Sequence, residues 1–113
     1  LPGGAVTPAM YATTGVDDEP LPALRLSLSA PNPFSSTTTI RFELPFAGRA
    51  LVRVYDVAGR LVSVLADGEF GPGRHEVVWD GRCAGGADAA AGVYFYSVEC
   101  GGLEARQKTV LLR

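Results

Sequence analysis

One histidine, two cysteines and a scatter of carboxylates are the residues here whose types could carry chemistry. On paper Ser63, His75 and Asp80 supply the side chains of a hydrolytic triad. A nucleophilic serine, however, needs a sharp strand-to-helix turn that exposes its hydroxyl, and Ser63 sits inside the alternating run Arg60 to Ala66 (RLVSVLA). His75 alternates with Val77 and Trp79 and reads as a rim histidine satisfied by a neighbour. One histidine and two distant cysteines lack the paired spacing of a zinc site. Asp67, Glu69, Asp80 and Asp88 offer loop oxygens to calcium, but Asp67-Gly68 and Asp80-Gly81 read more simply as turns. The glycines precede strands rather than helices, so none frames a phosphate-cradling loop. No catalytic residue, metal ligand, cofactor or small-molecule substrate is assigned, and the sequence does not read as an enzyme.

Cys83 and Cys100 remain. An even count in a small β-rich chain, with glycines nearby at strand ends, reads as a disulfide that would contribute about 3 kcal/mol by constraining the unfolded chain. The alternative is two thiols in a reducing compartment.

These residues must be positioned by one domain, because 113 residues are too few for two well-packed cores. With 47% apolar and 19% charged residues, most of the chain has enough to bury. The 14 glycines and 8 prolines fall between short apolar runs, as connections between strands do. A net charge of -2 without a basic stripe argues against nucleic acid and anionic membranes as partners. No apolar run approaches the roughly twenty residues that span a bilayer. The chain begins with Leu1, which suggests that a leader or a larger N-terminal portion has been removed.

Residues 1–23 have the composition of a tail, with an acidic run at Asp17 to Glu19 that reads as solvated. Within them, Ala5 to Thr14 is uncharged and β-tolerant, a segment able to pair with an exposed sheet edge. From residue 24 to 113 the pattern has period two. Leu24, Leu26 and Leu28 face one way; after the Pro31-Asn32-Pro33 break, Thr38, Ile40, Phe42 and Leu44 do the same. Ala50 to Asp56, Arg60 to Ala66, Arg74 to Asp80, Gly92 to Cys100 and Leu103 to Arg113 complete a set of strands, with Asp67 to Gly73 as a glycine-rich loop. Ala84 to Ala91 is at most a short turn. This spacing predicts an all-β, immunoglobulin-like antiparallel sandwich of about seven strands, with a small barrel as the alternative. Phe42, Trp79, Tyr94 and Tyr96 are its expected core anchors. The Pro-Asn-Pro stretch is expected to form a corner, with Asn32 bonding its own backbone and Phe34 tucked against the sandwich end.

The ordered set Asn32-Pro33-Phe34, Thr38 to Phe42, Val54 to Arg60, Gly73 to Gly81, Gly92 to Tyr96 and Lys108 to Val110 resembles the C-terminal sorting domains of the bacterial type IX secretion system. It is also similar to the immunoglobulin-like domain of flagellar hook-capping proteins. The resemblance implies a seven-stranded sandwich at the C-terminus of a secreted protein, read by the outer-membrane export machinery and commonly cleaved. It implies Gly92 and Tyr94 as the Gly-x-Tyr element and Lys108 as part of the terminal element. The two cysteines and residues 1–23 depart from the family pattern.

Two functions follow as expectations. One is a non-catalytic secreted structural module at the bacterial cell surface, assembling with other copies into a filament through Val6, Met10 and Tyr11. The other is a monomeric C-terminal signal of a larger cargo protein, recognised by the outer-membrane secretion machinery.

Overall fold

The computed structural model describes residues 23–113. Seven strands follow in order: β1 (Arg25–Leu26), β2 (Thr38–Leu44), β3 (Gly48–Asp56), β4 (Leu61–Phe70), β5 (Gly73–Trp79), β6 (Gly92–Cys100) and β7 (Leu103–Leu111). They form a three-stranded sheet ordered β1-β2-β5 and a four-stranded sheet ordered β4-β3-β6-β7, with every neighbouring pair antiparallel. The protein is an all-β immunoglobulin-like sandwich, and among the described residues no helix is long and apolar enough to cross a membrane.

Alternation decides which side chains meet between the sheets. Thr38, Ile40, Phe42 and Leu44 point inward from β2, Ala50, Val52 and Val54 from β3, and Tyr94, Tyr96, Val98 and Cys100 from β6. They divide into two contiguous clusters. One holds Phe34, Ile40, Val54, Trp79, Tyr94, Tyr96 and Leu111; the other holds Phe42, Leu44, Ala50, Val52, Val98 and Cys100. Each fully buried large aliphatic or aromatic side chain contributes roughly 1.5–3 kcal/mol over its exposed state.

Several expectations need correction. The stretch Asp67-Gly68 is not a turn: β4 runs through it to Phe70, because Arg49 across the ladder donates to Asp67 Oδ1 at 2.8 Å and the glycine stands opposite Ala50. The reversal comes later, at Gly71-Pro72. Strand β4 also carries two bulges. Its register to β3 steps from Val52↔Ala66 to Arg53↔Val64, and from Val54↔Ser63 to Tyr55↔Leu61, so Leu65 and Val62 are extra residues that pack against the core.

Leu28 does not join Leu24 and Leu26; it is 63% exposed. After Leu26 the chain shifts so that Ser29 enters the core, where its N–H donates to the Tyr96 hydroxyl at 2.7 Å and its own hydroxyl donates to Thr109 Oγ1 at 2.9 Å. The Tyr96 hydroxyl in turn donates to Ser27 O at 2.9 Å. Burial raises the Tyr96 pKa, so the neutral phenol is the folded form. Removing that hydroxyl in Tyr96→Phe leaves a buried N–H and a carbonyl without their partner. A loss of about 1–3 kcal/mol in urea unfolding is expected, without change in strand content by circular dichroism.

Asn32 does not close a local turn on itself. Its Nδ2 donates to Lys108 O at 3.2 Å and its Oδ1 accepts from Val110 N at 3.0 Å, so the side chain imitates a strand neighbour on the free edge of β7. Phe34 continues the plug, its N–H donating to Val110 O at 2.9 Å and its carbonyl accepting from Leu112 N at 2.7 Å. A corner of this kind blunts an edge that would otherwise template another chain.

The expected disulfide is absent, and both thiols are free. Cys83 packs beside the cluster of Trp79 and Tyr94, whereas Cys100 belongs to the other cluster. Tyr94 and Cys100 lie at opposite ends of β6, about 20 Å apart at the usual strand rise, whereas a bridge needs Cα atoms within about 7 Å. Reductant is therefore expected to leave the melting temperature unchanged in a thermal melt, with the buried Cys100 reacting more slowly than Cys83 toward a thiol reagent.

Candidate interaction face

The strands that bury one set of side chains present the alternate set on the outside of the four-stranded sheet. Two rows cross it. Leu61, Tyr55, Phe95 and Lys108 form one, and Val64, Arg53, Ser97 and Arg106 form the next, each reading β4-β3-β6-β7 through the ladder register. A third row, Asp67, Leu51, Glu99 and Glu104, carries the carboxylates.

Leu61 and Val64 are 54% and 45% exposed, and Phe95, Val93 and Val57 also reach solvent. Two guanidinium groups lie over the Tyr55 ring, with Arg53 Cζ at 5.6 Å and Arg106 Cζ at 5.7 Å from its centroid. Each such contact is worth about 0.5–1 kcal/mol when exposed, and together they hold the ring in place. Beside it a shallow depression of about 390 Å³ is lined by Tyr55, Asp56, Val57, Gly59, Phe95 and Arg106. The Asp56 carboxylate is engaged by the adjoining turn, accepting from the N–H groups of Ala58 and Arg60 and from Arg60 Nε, each at 2.9 Å. Chiefly the Arg60 N–H holds its pKa below the usual carboxylate value. It is thus a fixed anion belonging to the turn, while Tyr55, Phe95 and Arg106 stay available. Contiguous apolar surface rimmed by polar groups marks an interaction site.

The outside of the three-stranded sheet is different. Arg25, Arg41 and Arg74 alternate there with Glu43 and Glu76, and the Arg41–Glu76 pair at 2.8 Å is more than half exposed on both sides. Pairs of that kind contribute about 0–1 kcal/mol and describe a solvated face.

Gly92 opens β6 opposite Leu111. Tyr94 is buried, its ring edge-on to Trp79 with centroids 5.0 Å apart and its hydroxyl donating to Ala90 O at 2.6 Å. The Gly-x-Tyr element therefore faces the core. Lys108 is exposed and stands opposite Phe95 on the outer face. Phe42, Trp79 and Tyr96 are buried. Val6, Met10 and Tyr11 lie outside the described residues.

The paper triad is not assembled. Ser63 lies on β4, His75 lies on β5 in the other sheet, and Asp80 Oδ1 accepts from Arg82 N at 3.2 Å. His75 Nε2–H donates to Gly71 O at 2.7 Å, and its ring packs in a three-ring cluster with Phe42 and Phe70, at centroid distances of 5.5 and 5.0 Å. Among the described residues, no group of three or more His, Cys, Asp or Glu side chains converges to hold a metal.

The inward phase of the strands predicts the core and leaves this face unassigned. Its signal is the opposite phase of the same runs: Arg53 and Tyr55 in ALVRVYD, Phe95 in GVYFYSVEC, Arg106 and Lys108 in LEARQKTVL.

A sandwich whose chemistry lies in a surface rather than a cleft defines an immunoglobulin-like structural module. Residues 29–102 match the FlgD Ig-like domain, and the chain belongs to that family of non-catalytic structural domains. Among solved structures it is similar to dimeric latent PorU from Porphyromonas gingivalis, at 22% identity and a TM-score of 0.64, covering 86% of this chain and 10% of that one. It is also similar to PorZ from the same organism, an essential bacterial surface component of the type-IX secretion system, at 24% identity and a TM-score of 0.54. That match covers 76% of this chain and 11% of PorZ. At these identities the likeness is one of fold, and the chain spans about a tenth of either protein's length. No curated protein matches it.

Proposed function

We propose that this domain is a non-catalytic sorting module of a type IX-like secretion route, acting at a bacterial surface through protein–protein contacts. The observation that carries the reading is the exposed apolar and aromatic outer face of the four-stranded sheet, where Leu61, Val64 and Phe95 surround the arginine-flanked Tyr55. The ordered motifs resembling sorting domains and the fold shared with a type-IX secretion component support it. In this reading Gly92 and Tyr94 set the fold, while Lys108 and Phe95 meet the export machinery. The chain appended to the C-terminus of an inert reporter should carry it to the surface of a bacterium with that system. Phe95→Glu, on an exposed strand position, should abolish surface display while leaving the melting temperature nearly unchanged. Display that survives Phe95→Glu excludes this face as the contact.

A self-assembling form of the same module is favoured by one further observation: the outer edge of β5 has no strand beyond it among the described residues, and Val78 there is 56% exposed. Strand donation by Ala5 to Thr14 of a second copy, through Val6, Met10 and Tyr11, would use that edge. Deleting residues 1–15 should then abolish oligomers in light scattering; oligomers that persist contradict it.

A further inference from the structure

Two polar atoms at the centre of the outer face lack partners. Ser97 is fully buried although its place in β6 turns it toward the outside, and its Oγ has no hydrogen-bond partner among the described residues. Arg53 Nε, directly across the ladder, is buried and equally unpartnered. Arg53 Nη2 does bond Glu99 Oε2 at 2.7 Å, so the guanidinium is anchored at one end with its inner N–H unused. Arg106 stands on the other side of Ser97, anchored to Glu104 Oε2 at 3.3 Å, and Lys108 stands one row further on. Lys108 makes no ion pair among the described residues. The two central rows thus hold three cations, two orphan polar atoms and no carboxylate, bordered by Leu61, Val64 and Phe95.

A buried donor without an acceptor is costly, and a carboxylate repays the most, because charge-assisted hydrogen bonds are about twice as strong as neutral ones. We infer that this face captures a protein partner through an aspartate or glutamate side chain flanked by apolar residues. The carboxylate meets Arg106 and Lys108 at the surface, and the side chains over Arg53 Nε and Ser97 Oγ part on docking so that these two buried atoms gain an acceptor, while the flanking side chains cover Phe95, Leu61 and Val64. A second copy fits less well. Its outer-face carboxylates Asp67, Glu99 and Glu104 are already bonded to Arg49, Arg53 and Arg106, so the unpaired Lys108 of each copy would meet no free carboxylate in that row on the other. The inference rests on the outer face being the docking surface.

The test is a titration of the full chain with capped pentapeptides carrying a central Asp between Leu and Val residues, alongside twins carrying Asn, followed by amide NMR shifts and by affinity. The Asp peptides should bind about tenfold more tightly than their twins and shift Phe95, Ser97 and Lys108. The preference should fall as salt rises, and should vanish in Arg106→Gln/Lys108→Gln with the melt unchanged. Equal binding of the twins, no binding, or shifts elsewhere overturns the inference. A dimer in sedimentation that Phe95→Glu dissolves gives the face to a second copy, and affinity that rises in Asp17→Asn/Asp18→Asn/Glu19→Gln gives it to the chain's own acidic run; either overturns it. Display lost in Phe95→Glu together with equal binding of the twins leaves the docking surface standing and removes only the carboxylate. Display unaffected by Phe95→Glu removes the docking surface itself.

Discussion

Truncating Trp79 to alanine is expected to cost about 3–5 kcal/mol of folding free energy, the range for a buried aromatic. The ring is fully buried at the end of β5, tilted against Phe34 at 5.4 Å and edge-on to Tyr94 at 5.0 Å, and its Nε1–H donates to Arg82 O at 3.0 Å. Three elements therefore lose a shared partner at once: the corner after β1, strand β6 and the loop following β5. Domains of this size are stable by about 5–15 kcal/mol, so the variant should sit near the edge of unfolding at room temperature. Urea unfolding followed by circular dichroism is the appropriate measurement, because the single tryptophan is the residue removed. Trp79→Phe should lose less, since a ring still fills part of the space and the deficit is mainly the hydrogen bond and the residual gap. A Trp79→Ala loss below about 1 kcal/mol would mean that the site collapses around the void, contrary to the close packing of Phe34 and Tyr94 against the ring.

Alternation made this core legible. A period-two run with bulky residues in one phase has one way to lie on a sandwich, so Ile40, Phe42, Trp79, Tyr94 and Tyr96 were placed inward from sequence alone, and the structure buries them. What alternation does not encode is a change of phase. Nothing in RLVSVLADGEF announces that Val62 and Leu65 are extra residues, because a bulge is fixed by the partner strand's register rather than by its own residues. Leu28 was misplaced for a related reason: Ser29 is drawn inward by Tyr96 and Thr109, residues far along the chain. The cysteines failed differently. Parity of count and nearby glycines said nothing about which ends of the sandwich they occupy. The candidate face is the outward phase of those same runs, and its arrangement around Tyr55 depends on the ladder register that brings Arg53 and Arg106, from strands β3 and β7, over one ring.

The corner that looked like a linker is where the second large effect is expected. Phe34 is 2% exposed, and its backbone forms a parallel bridge with Leu111 while its ring closes the cluster around Trp79. Phe34→Ala keeps the two backbone hydrogen bonds to β7 but empties the socket, and a loss of about 3–5 kcal/mol is expected. Because the ring shares its void with Trp79, the double variant should lose less than the sum of the singles, with a coupling of about 0.5–1.5 kcal/mol for the aromatic pair. Asn32→Ala separates the corner's other role. It removes the side chain that occupies Lys108 O and Val110 N, leaving Phe34 in its socket, so the loss should be nearer 1–2 kcal/mol. The freed edge of β7 then becomes a template for pairing between chains, and faster aggregation on mild heating should accompany the smaller loss. If Phe34→Ala unfolds at the same urea concentration as the parent, the corner is a tether and not a wall of the core. If Asn32→Ala aggregates no faster, its two hydrogen bonds position the corner without guarding the edge.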